Sequence, residues 1–216
     1  MNILTRTETA DFLKANDRYL ILTHTRPDGD TVGSAAALCL GLRAMGKTAH
    51  VLENKEVTPR YRWLHRGLTV GEAAPGDCIV SVDVASPNML PEDFQPLLGR
   101  IRLRVDHHGS ATSFTDFELV DPDSASCAEI IYDLLTLLGC PLDQKIAEAV
   151  YVGASTDTGC FRYANTTAHT FAAAAACAQA GARIYELNMD LFETNTLARL
   201  KMQGWIVDHM KLLRGG

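Results

Sequence analysis

The chain has 216 residues, of which 47% are hydrophobic and 21% are charged, and its formal net charge is −6. This composition is typical of one globular domain and argues against a disordered or fibrous chain. The excess of acidic residues also argues against a uniformly basic nucleic-acid-binding protein, although it leaves room for a local basic groove.

The lengths of the apolar runs and the spacing of the cysteines indicate the cellular location. No apolar run reaches the roughly 18 residues that a membrane span needs, and the first residues lack the layout of a signal peptide. Cysteines occupy positions 39, 78, 127, 140, 160 and 177, without a Cys-x-x-Cys pair. We therefore expect reduced thiols in a cytoplasmic protein that does not bind a membrane.

Apolar, β-branched runs alternate along the chain with stretches rich in Ala and Leu. The runs predict strands at 19–24, 48–53, 78–86 and 101–108, and the stretches predict helices at 30–46, 124–139, 143–155 and 168–181. Strands separated by helices indicate βαβ units. We predict a three-layer α/β fold whose mostly parallel, five-stranded sheet carries helices on both faces.

The final part of the chain has a different pattern. Residues 184–213 have a mostly helical pattern, and no strand follows them. We therefore predict a helical connector over residues 184–216. Its apolar side needs a cover, which a further domain, a partner or a second copy could provide, so that a homodimer is one option.

Acidic residues and histidines gather in four short segments, each at the end of a predicted strand or at a sharp turn. The segments read HTRPDGDTVGS, VSVDVAS, VDHHGS and GASTDTGCF. Because ligands bind beyond the carboxyl ends of the strands in open α/β sheets, we expect the four segments to form one site. The candidate site residues are His24, Asp28, Asp30, Asp83, Asp106, His107, His108 and Asp157.

This set of side chains indicates metal chemistry. Crowded carboxylates raise one another's pKa values unless a cation compensates, and carboxylate with imidazole suits Mn²⁺ or Mg²⁺ better than a sulfur-rich zinc site does. Two ions about 3.5–4 Å apart are the usual device for cleaving phosphate esters. Asp30 alone could equally be a helix cap. His107 and His108 point apart in an extended strand, so we expect one to bind metal and the other to face the substrate.

The four segments also resemble, in the same order, the four motifs of the DHH phosphoesterase superfamily. The resemblance covers roughly residues 19–165 and the trailing helices, and it is strongest to the branch of bacterial bifunctional oligoribonucleases and pAp phosphatases. It implies a catalytic domain at residues 1–183 and a Mn²⁺-dependent hydrolase of the exoribonuclease and pAp phosphatase type. The implied substrates are short RNA and small nucleotides such as pAp, with pApA or cyclic-di-AMP as further candidates, attacked by a hydroxide shared between two ions.

The resemblance further implies a role for each residue. Asp83 would bridge two Mn²⁺ ions, for which Mg²⁺ or Co²⁺ are alternatives with the same type of ligand. His108 would contact the scissile phosphate and help to protonate the leaving group, and Asp106 would orient the histidines or approach a metal itself. The other ligands would be His24 and Asp28 on one ion, and Asp30, His107 and Asp157 on the second.

The resemblance leaves substrate and turnover open. Members of that branch continue into a smaller C-terminal domain with a glycine-rich motif ending in His, and the terminal Arg-Gly-Gly of this chain is not that motif. We therefore expect a catalytic domain that stops at its linker. The alternatives are an inorganic pyrophosphatase or polyphosphatase, and a metal- and nucleotide-binding fragment without turnover.

Overall fold

A parallel sheet of seven strands runs through the centre of the protein. The structure, a computed structural model, describes residues 2–110 and 112–211, so the terminal Arg-Gly-Gly lies outside the described residues. The strands are β1 (Asn2–Ile3), β2 (Tyr19–Leu22), β3 (Ala49–Leu52), β4 (Thr69–Val70), β5 (Cys78–Val82), β6 (Ile101–Asp106) and β7 (Phe117–Val120). Across the sheet they are ordered β1-β7-β6-β5-β2-β3-β4, and neighbouring strands are parallel.

The parallel sheet confirms the predicted fold class, but it has seven strands instead of five. Strands β1 and β4 contain two residues each, which is too short to show a period-two pattern. Strand β7 reads FELV, and its central glutamate interrupts the apolar run. Strands β5 and β6 end earlier than predicted, at Val82 and Asp106, so that the following Asp83 and the two histidines belong to loops.

Helices cover the sheet on both faces, as predicted. The α-helices are α1 (Arg6–Ala15), α2 (Gly29–Ala44), α3 (Cys127–Leu137), α4 (Gln144–Asp157), α5 (Ala168–Gln179), α6 (Ile184–Asn188) and α7 (Leu197–His209). In β2, Tyr19 and Ile21 join the larger core under helices α1 to α5, while Leu20 and Leu22 join a smaller cluster on the other face. This alternation follows from the pleat of the strand. A 3₁₀ segment, Glu92–Arg100, covers the smaller cluster.

Helices α2 and α4 pack against each other in opposite directions. A Cβ atom on Gly33 would meet the carbonyl oxygen of Ala149, and one on Gly29 would meet the side chain of Thr156. The first turn of α2 therefore lies beside the last turn of α4. Since α2 begins just after β2, this packing brings the end of α4 to the carboxyl edge of the sheet.

The described part of the final segment is helical, which confirms the predicted pattern for residues up to 211. A π-helical turn, Met189–Glu193, follows α6, and α7 leaves its apolar side chains, including Leu197 and Trp205, exposed. None of the helices that the structure describes is both long and apolar enough to cross a membrane. Each of the six cysteines, all within the described residues, is a free thiol, as expected.

Candidate metal centre

The turn between β2 and α2 holds the first two candidate ligands. The ring of His24 is fixed by a contact of 2.6 Å between its Nδ1 atom and the carbonyl oxygen of Thr25. Its Nε2 atom then lies 3.7 Å from Oδ1 of Asp28 and 3.4 Å from Oδ2 of Asp83. Asp28 is the N-cap of α2 and accepts the backbone N–H groups of the next turn. The cap is thus Asp28, and Asp30 lies in the first turn of the helix.

Asp30 is fully buried between two helices. Its Oδ2 atom accepts the backbone N–H of Cys127 at 2.7 Å, and its Oδ1 atom accepts that of Ala128 at 2.9 Å. These N–H groups belong to the first turn of α3, where the free donors and the helix dipole favour a negative charge. The sequence predicts Asp30 as a candidate ligand but does not reveal this support, because the two segments are far apart along the chain.

Asp83 lies in the loop after β5, and its backbone is unusual. Its φ angle is +58°, in the left-handed region that only glycine enters readily. The backbone N–H of Asp83 donates to Val105 at 2.9 Å, which fixes the loop against β6. The carboxylate is 2% exposed, and among the described residues its Oδ1 atom has no hydrogen-bond partner. A buried, unpartnered carboxylate oxygen is free to bind a cation.

Asp106 ends β6 and organises the two histidines that follow. Its Oδ1 atom accepts the backbone N–H groups of His107 and His108 at 2.8 and 3.2 Å, and Nδ1–H of His108 at 2.8 Å. The rings of His107 and His108 lie 4.5 Å apart between centroids. The expectation that they point apart is wrong, because the strand stops at Asp106 and the histidines lie in the loop that follows.

Asp157 is the last residue of α4 and reaches the site from a helix. Its Oδ2 atom lies 3.3 Å from Nε2 of His107. The antiparallel packing of α2 and α4 accounts for this position. The sequence indicates a sharp turn at this motif, and the turn follows immediately at Thr158, which caps the helix.

Seven of the eight candidate residues form three overlapping groups. In each group the potential ligand atoms lie within 4.8 Å of one another. Asp83 belongs to two groups, and so does His107. Asp106 belongs to none of them and contacts the histidines instead. The three groups are His24 with Asp28 and Asp83, Asp83 with His107 and His108, and Asp30 with His107 and Asp157.

The electrostatics of these groups fit divalent cations. Burial and the charge of Asp30 raise the pKa of Asp83 to about 7, and burial and the charge of Asp83 raise the pKa of Asp157 to about 7. Burial and the neighbouring Asp157 also raise the pKa of Asp30. These carboxylates repel one another in a region with little water. Cations between them would remove that repulsion, and carboxylate with imidazole is a donor set that suits Mn²⁺, Mg²⁺ and related ions.

Three residues that support the site were not found by the sequence analysis. Asn54 donates its side-chain N–H groups to Thr23 at 3.0 Å and to the carbonyl oxygen of His24 at 2.9 Å. Arg104 is buried in β6 and pairs with Glu118 of β7 at 2.8 Å. The sequence does contain a signal for this pair, because Arg104 is a charged residue inside the apolar run that leads to Asp106.

Comparison with known proteins relates the chain to one family. Residues 18–154 match the family model described as the DHH family, N-terminal domain. The bifunctional oligoribonuclease and PAP phosphatase NrnA of Thermus thermophilus is 33% identical over 213 residues, which are 96% of this chain and 64% of that protein. The NrnA protein of Bacillus subtilis is 28% identical over 215 residues, or 98% of this chain and 68% of that protein. The chain thus spans about two thirds of the length of these relatives.

Solved structures share the fold at lower sequence identity. An exopolyphosphatase-related protein of Bacteroides fragilis superimposes with a TM-score of 0.80 at 21% identity, over 97% of this chain and 66% of that one. A putative family II inorganic pyrophosphatase of Methanococcus jannaschii gives 0.60 at 23% identity, over 80% of this chain and 59% of that one. Exonuclease RecJ bound to manganese gives 0.52 at 18% identity, over 81% and 47%.

Proposed function

The chain belongs to the DHH family, and from that premise we propose that it is a metal-dependent phosphoesterase that hydrolyses short oligoribonucleotides and small nucleotides such as pAp. The observation that carries the proposal is the overlap of the ligand groups, in which Asp83 and His107 are each shared. Two-metal phosphoester hydrolysis uses ions about 3.5–4 Å apart, and ligands that belong to two groups would hold two ions close together. The names of the Thermus and Bacillus relatives support the nucleotide substrates.

The proposed ligands would hold two Mn²⁺ ions, and Asp83 would serve both of them. The contacts of His24 with Asp28 and Asp83 support one ion, and those of His107 with Asp30 and Asp157 support the other. When bound, the ions would polarise the phosphate and lower the pKa of an attacking water. Mg²⁺ and Co²⁺ suit the same donor set, so the choice of Mn²⁺ is part of the proposal.

His108 is proposed to act on the substrate, and Asp106 to orient it. Because the carboxylate of Asp106 takes the Nδ1–H of His108, the Nε2 atom is the one left to face a ligand. The same hydrogen bond raises the pKa of His108 to about 9. With Nδ1–H held by Asp106, the Nε2 atom of His108 is placed to give a proton to the leaving oxygen.

A cavity between residues 53 and 69, at strands β3 and β4, supports nucleotides over pyrophosphate, although none of the candidate metal ligands lines it. It has a volume of about 620 Å³, and Asn54, which contacts His24, forms part of its wall. Arg62, Arg66 and the half-exposed Trp63 line the same cavity. Cationic side chains attract a phosphate backbone and an indole ring can stack on a base, whereas pyrophosphate would use only the charges.

Two alternatives remain as outcomes of an experiment. The first is an inorganic pyrophosphatase or polyphosphatase, for which the structural neighbours supply only a common fold. The second is a metal- and nucleotide-binding fragment without turnover.

The experiment gives the purified chain a labelled RNA dinucleotide, pAp and pyrophosphate, each with Mn²⁺, with Mg²⁺ and with EDTA. Asp83→Asn would be compared with Asp93→Asn, a matched change at an exposed position.

The proposal expects Mn²⁺-dependent release of mononucleotide from RNA and of phosphate from pAp, both lost in Asp83→Asn and kept in Asp93→Asn. Release from pyrophosphate alone would favour the first alternative. Bound metal and bound pAp without product would favour the second. No metal binding at all would contradict the proposed ligand set.

The domain division and the cellular setting are further parts of the proposal. Residues 1–183 would form the catalytic domain and residues 184–216 a helical connector, which the exposed apolar side chains of α7 support. The free thiols support a cytoplasmic location. A homodimer would be tested by light scattering, since α7 offers apolar surface for contact.

A further inference from the structure

Arg104 is a buried cation directly behind the candidate site. It lies on β6, two residues before Asp106, and it is only 1% exposed. A guanidinium buried in this way is costly unless its charge and its N–H groups are satisfied. Glu118 on the neighbouring strand supplies the countercharge, accepting NH2 of Arg104 at 2.8 Å.

The other end of the guanidinium joins two loops of the site. Its NH1 group donates to the carbonyl oxygen of Ala85 at 3.2 Å and to that of Thr112 at 3.0 Å. The backbone N–H of Thr112 donates to the same oxygen of Ala85 at 2.8 Å. Ala85 follows Asp83 in one loop, and Thr112 follows the two histidines in another. Arg104 therefore fixes the spacing between the loop that carries Asp83 and the loop that carries His108.

The same side chain also supports Asp106. Its NH1 atom lies 3.9 Å from Oδ2 of Asp106, an oxygen that has no hydrogen-bond partner among the described residues. The other oxygen, Oδ1, takes the Nδ1–H of His108. The positive charge is thus close enough to favour the carboxylate of Asp106 without competing for the oxygen that orients His108.

Glu118 links Arg104 to the segment after the histidines, while Nε of Arg104 has no hydrogen-bond partner among the described residues. Its Oε1 atom accepts the hydroxyl of Ser113 at 2.8 Å and the backbone N–H of Phe114 at 3.0 Å. The ring of Phe114 lies 5.1 Å from the centre of the guanidinium, within the range of a cation–π contact. Residues 112–115 therefore wrap around the ion pair and link the loop after the histidines to β7.

We propose that Arg104 is a positioning residue, which together with Glu118 holds the loops of Asp83 and His108 in register and keeps Asp106 aligned on His108. The predicted effect of Arg104 on turnover rests on the proposed function. Its structural part, the fixed orientation of His108, does not need turnover to be tested. Groups that orient reacting side chains in this way commonly affect the rate by about 10- to 100-fold when they are removed.

The test compares Arg104→Met with Arg102→Met. Both arginines lie on β6, but Arg102 is exposed and contacts Phe12 and Asn16 away from the site. The measurements are kcat and KM for the RNA dinucleotide, the thermal midpoint, and the proton resonance of the imidazole Nδ1–H of His108 in protein labelled with ¹⁵N at histidine. A His108→Ala variant identifies that resonance.

In Arg104→Met we expect kcat to fall by about 10- to 100-fold with KM within about twofold of the parent. We also expect the hydrogen-bonded imidazole signal of His108 to be lost, while Arg102→Met keeps both. A residue with a purely structural role would lower the thermal midpoint and leave kcat and the signal of the folded protein unchanged, which would overturn the proposal.

Two further variants test the same proposal if Arg104→Met does not fold. Arg104→Lys keeps the charge but lacks the planar fork, so it cannot serve Glu118 and both loop carbonyls together. Glu118→Gln keeps the shape and removes the countercharge. Each should weaken the His108 signal and lower kcat less than Arg104→Met would, and an unchanged signal in both would overturn the proposal. If the parent protein hydrolyses no nucleotide, the proposed function fails, but the signal still decides the role of Arg104.

Discussion

A methyl group added to Gly153 would lie 2.8 Å from the Oδ1 atom of Asp30, because helix α4 approaches that carboxylate closely. The same Oδ1 atom accepts the backbone N–H of Ala128 at 2.9 Å. Asp30 is therefore enclosed between the first turn of α3 and the bare backbone of α4. Its orientation is determined by the packing of three helices, which makes the glycine in α4 part of the candidate metal centre.

Gly153→Ala is expected to damage both stability and metal binding. The added methyl group would also clash with Ala128, and overpacking of this kind costs about 1–3 kcal/mol of unfolding free energy. Asp30 would have to move, so the affinity for Mn²⁺ should fall. The control is Gly204→Ala on α7, where the new methyl group meets nothing within 4 Å. Urea unfolding and Mn²⁺ titration check this prediction, and an unchanged Mn²⁺ affinity in Gly153→Ala would contradict it.

Loss of single ligands should change the metal stoichiometry in a pattern that identifies the bridge. If Asp83 is shared, Asp83→Asn loses or weakens both ions, whereas His24→Ala and Asp157→Ala each lose one of the two expected for this type of site. Calorimetric titration with Mn²⁺ measures the stoichiometry. In the parent protein, free Mn²⁺ at 100 times the Kd of a site should add about 2.7 kcal/mol to the stability for that site.

Asp93→Asn is the control for this series and should keep the stoichiometry of the parent protein, because its side chain is exposed. Equal stoichiometry in Asp83→Asn and His24→Ala would argue that Asp83 belongs to one ion only. Retention of both ions in Asp83→Asn would remove it from the ligand set.

The ion pair between Glu148 and Arg183 should make the attachment of α6 sensitive to acid. Nε and NH2 of Arg183 donate to the two carboxylate oxygens of Glu148 at 2.6 and 2.9 Å. These hydrogen bonds hold the pKa of Glu148 below its usual value, against the opposing effect of burial. The folded state therefore binds fewer protons than the unfolded state near pH 4. The stabilisation is complete above the usual glutamate pKa and is lost as the pH falls through the lowered one.

Glu148→Gln should accordingly be less stable than the parent at pH 7 by about 1–3 kcal/mol, as for other hydrogen-bonded charges. The difference should shrink as the pH falls below about 4. Urea unfolding at a series of pH values provides the measurement. Glu193→Gln, at an exposed position nearby, should show no such pH-dependent difference. A constant difference between Glu148→Gln and the parent at every pH would exclude the ionic cause.

The gathering of the candidate residues at one edge could be predicted because parallel strands end at the same edge of a sheet. The motifs after β2, β5 and β6 follow strands whose apolar runs are clear in the sequence. The position of His24 beside Asp83 follows from the adjacency of β2 and β5. Asp157 joined the same site for another reason, since it ends a helix that packs on α2.

The remaining features depend on contacts that no single segment contains. Because it contains Glu118, the sequence of β7 resembles that of a loop. In the structure Glu118 is buried and pairs with Arg104 on the neighbouring strand. The support of Asp30 by the start of α3 likewise needs the tertiary arrangement. The relative position of the rings of His107 and His108 depended on where β6 ends, and strand ends are the least certain part of a sequence pattern.

The cavity lined by Asn54, Arg62, Trp63 and Arg66 leads to a prediction about the nucleotide base. Trp63 is 37% exposed and lines this cavity together with Arg62 and Arg66. If the indole stacks on a base of the substrate, Trp63→Ala should raise KM for the RNA dinucleotide by about 5- to 150-fold, since such stacking is worth about 1–3 kcal/mol per base. Trp63→Phe should recover part of this affinity.

Trp205→Ala is the matched control for Trp63→Ala, because Trp205 is exposed on α7. It should leave KM unchanged, and neither variant should alter the affinity for Mn²⁺, since neither tryptophan belongs to the ligand groups. Steady-state kinetics with the dinucleotide and with pyrophosphate distinguish stacking of Trp63 on a base from attraction of phosphate by Arg62 and Arg66. An effect of Trp63→Ala on the dinucleotide alone identifies the base as the group that is recognised. An equal effect on pyrophosphate would mean that the loop of Arg62 and Arg66 was displaced, and stacking would be rejected.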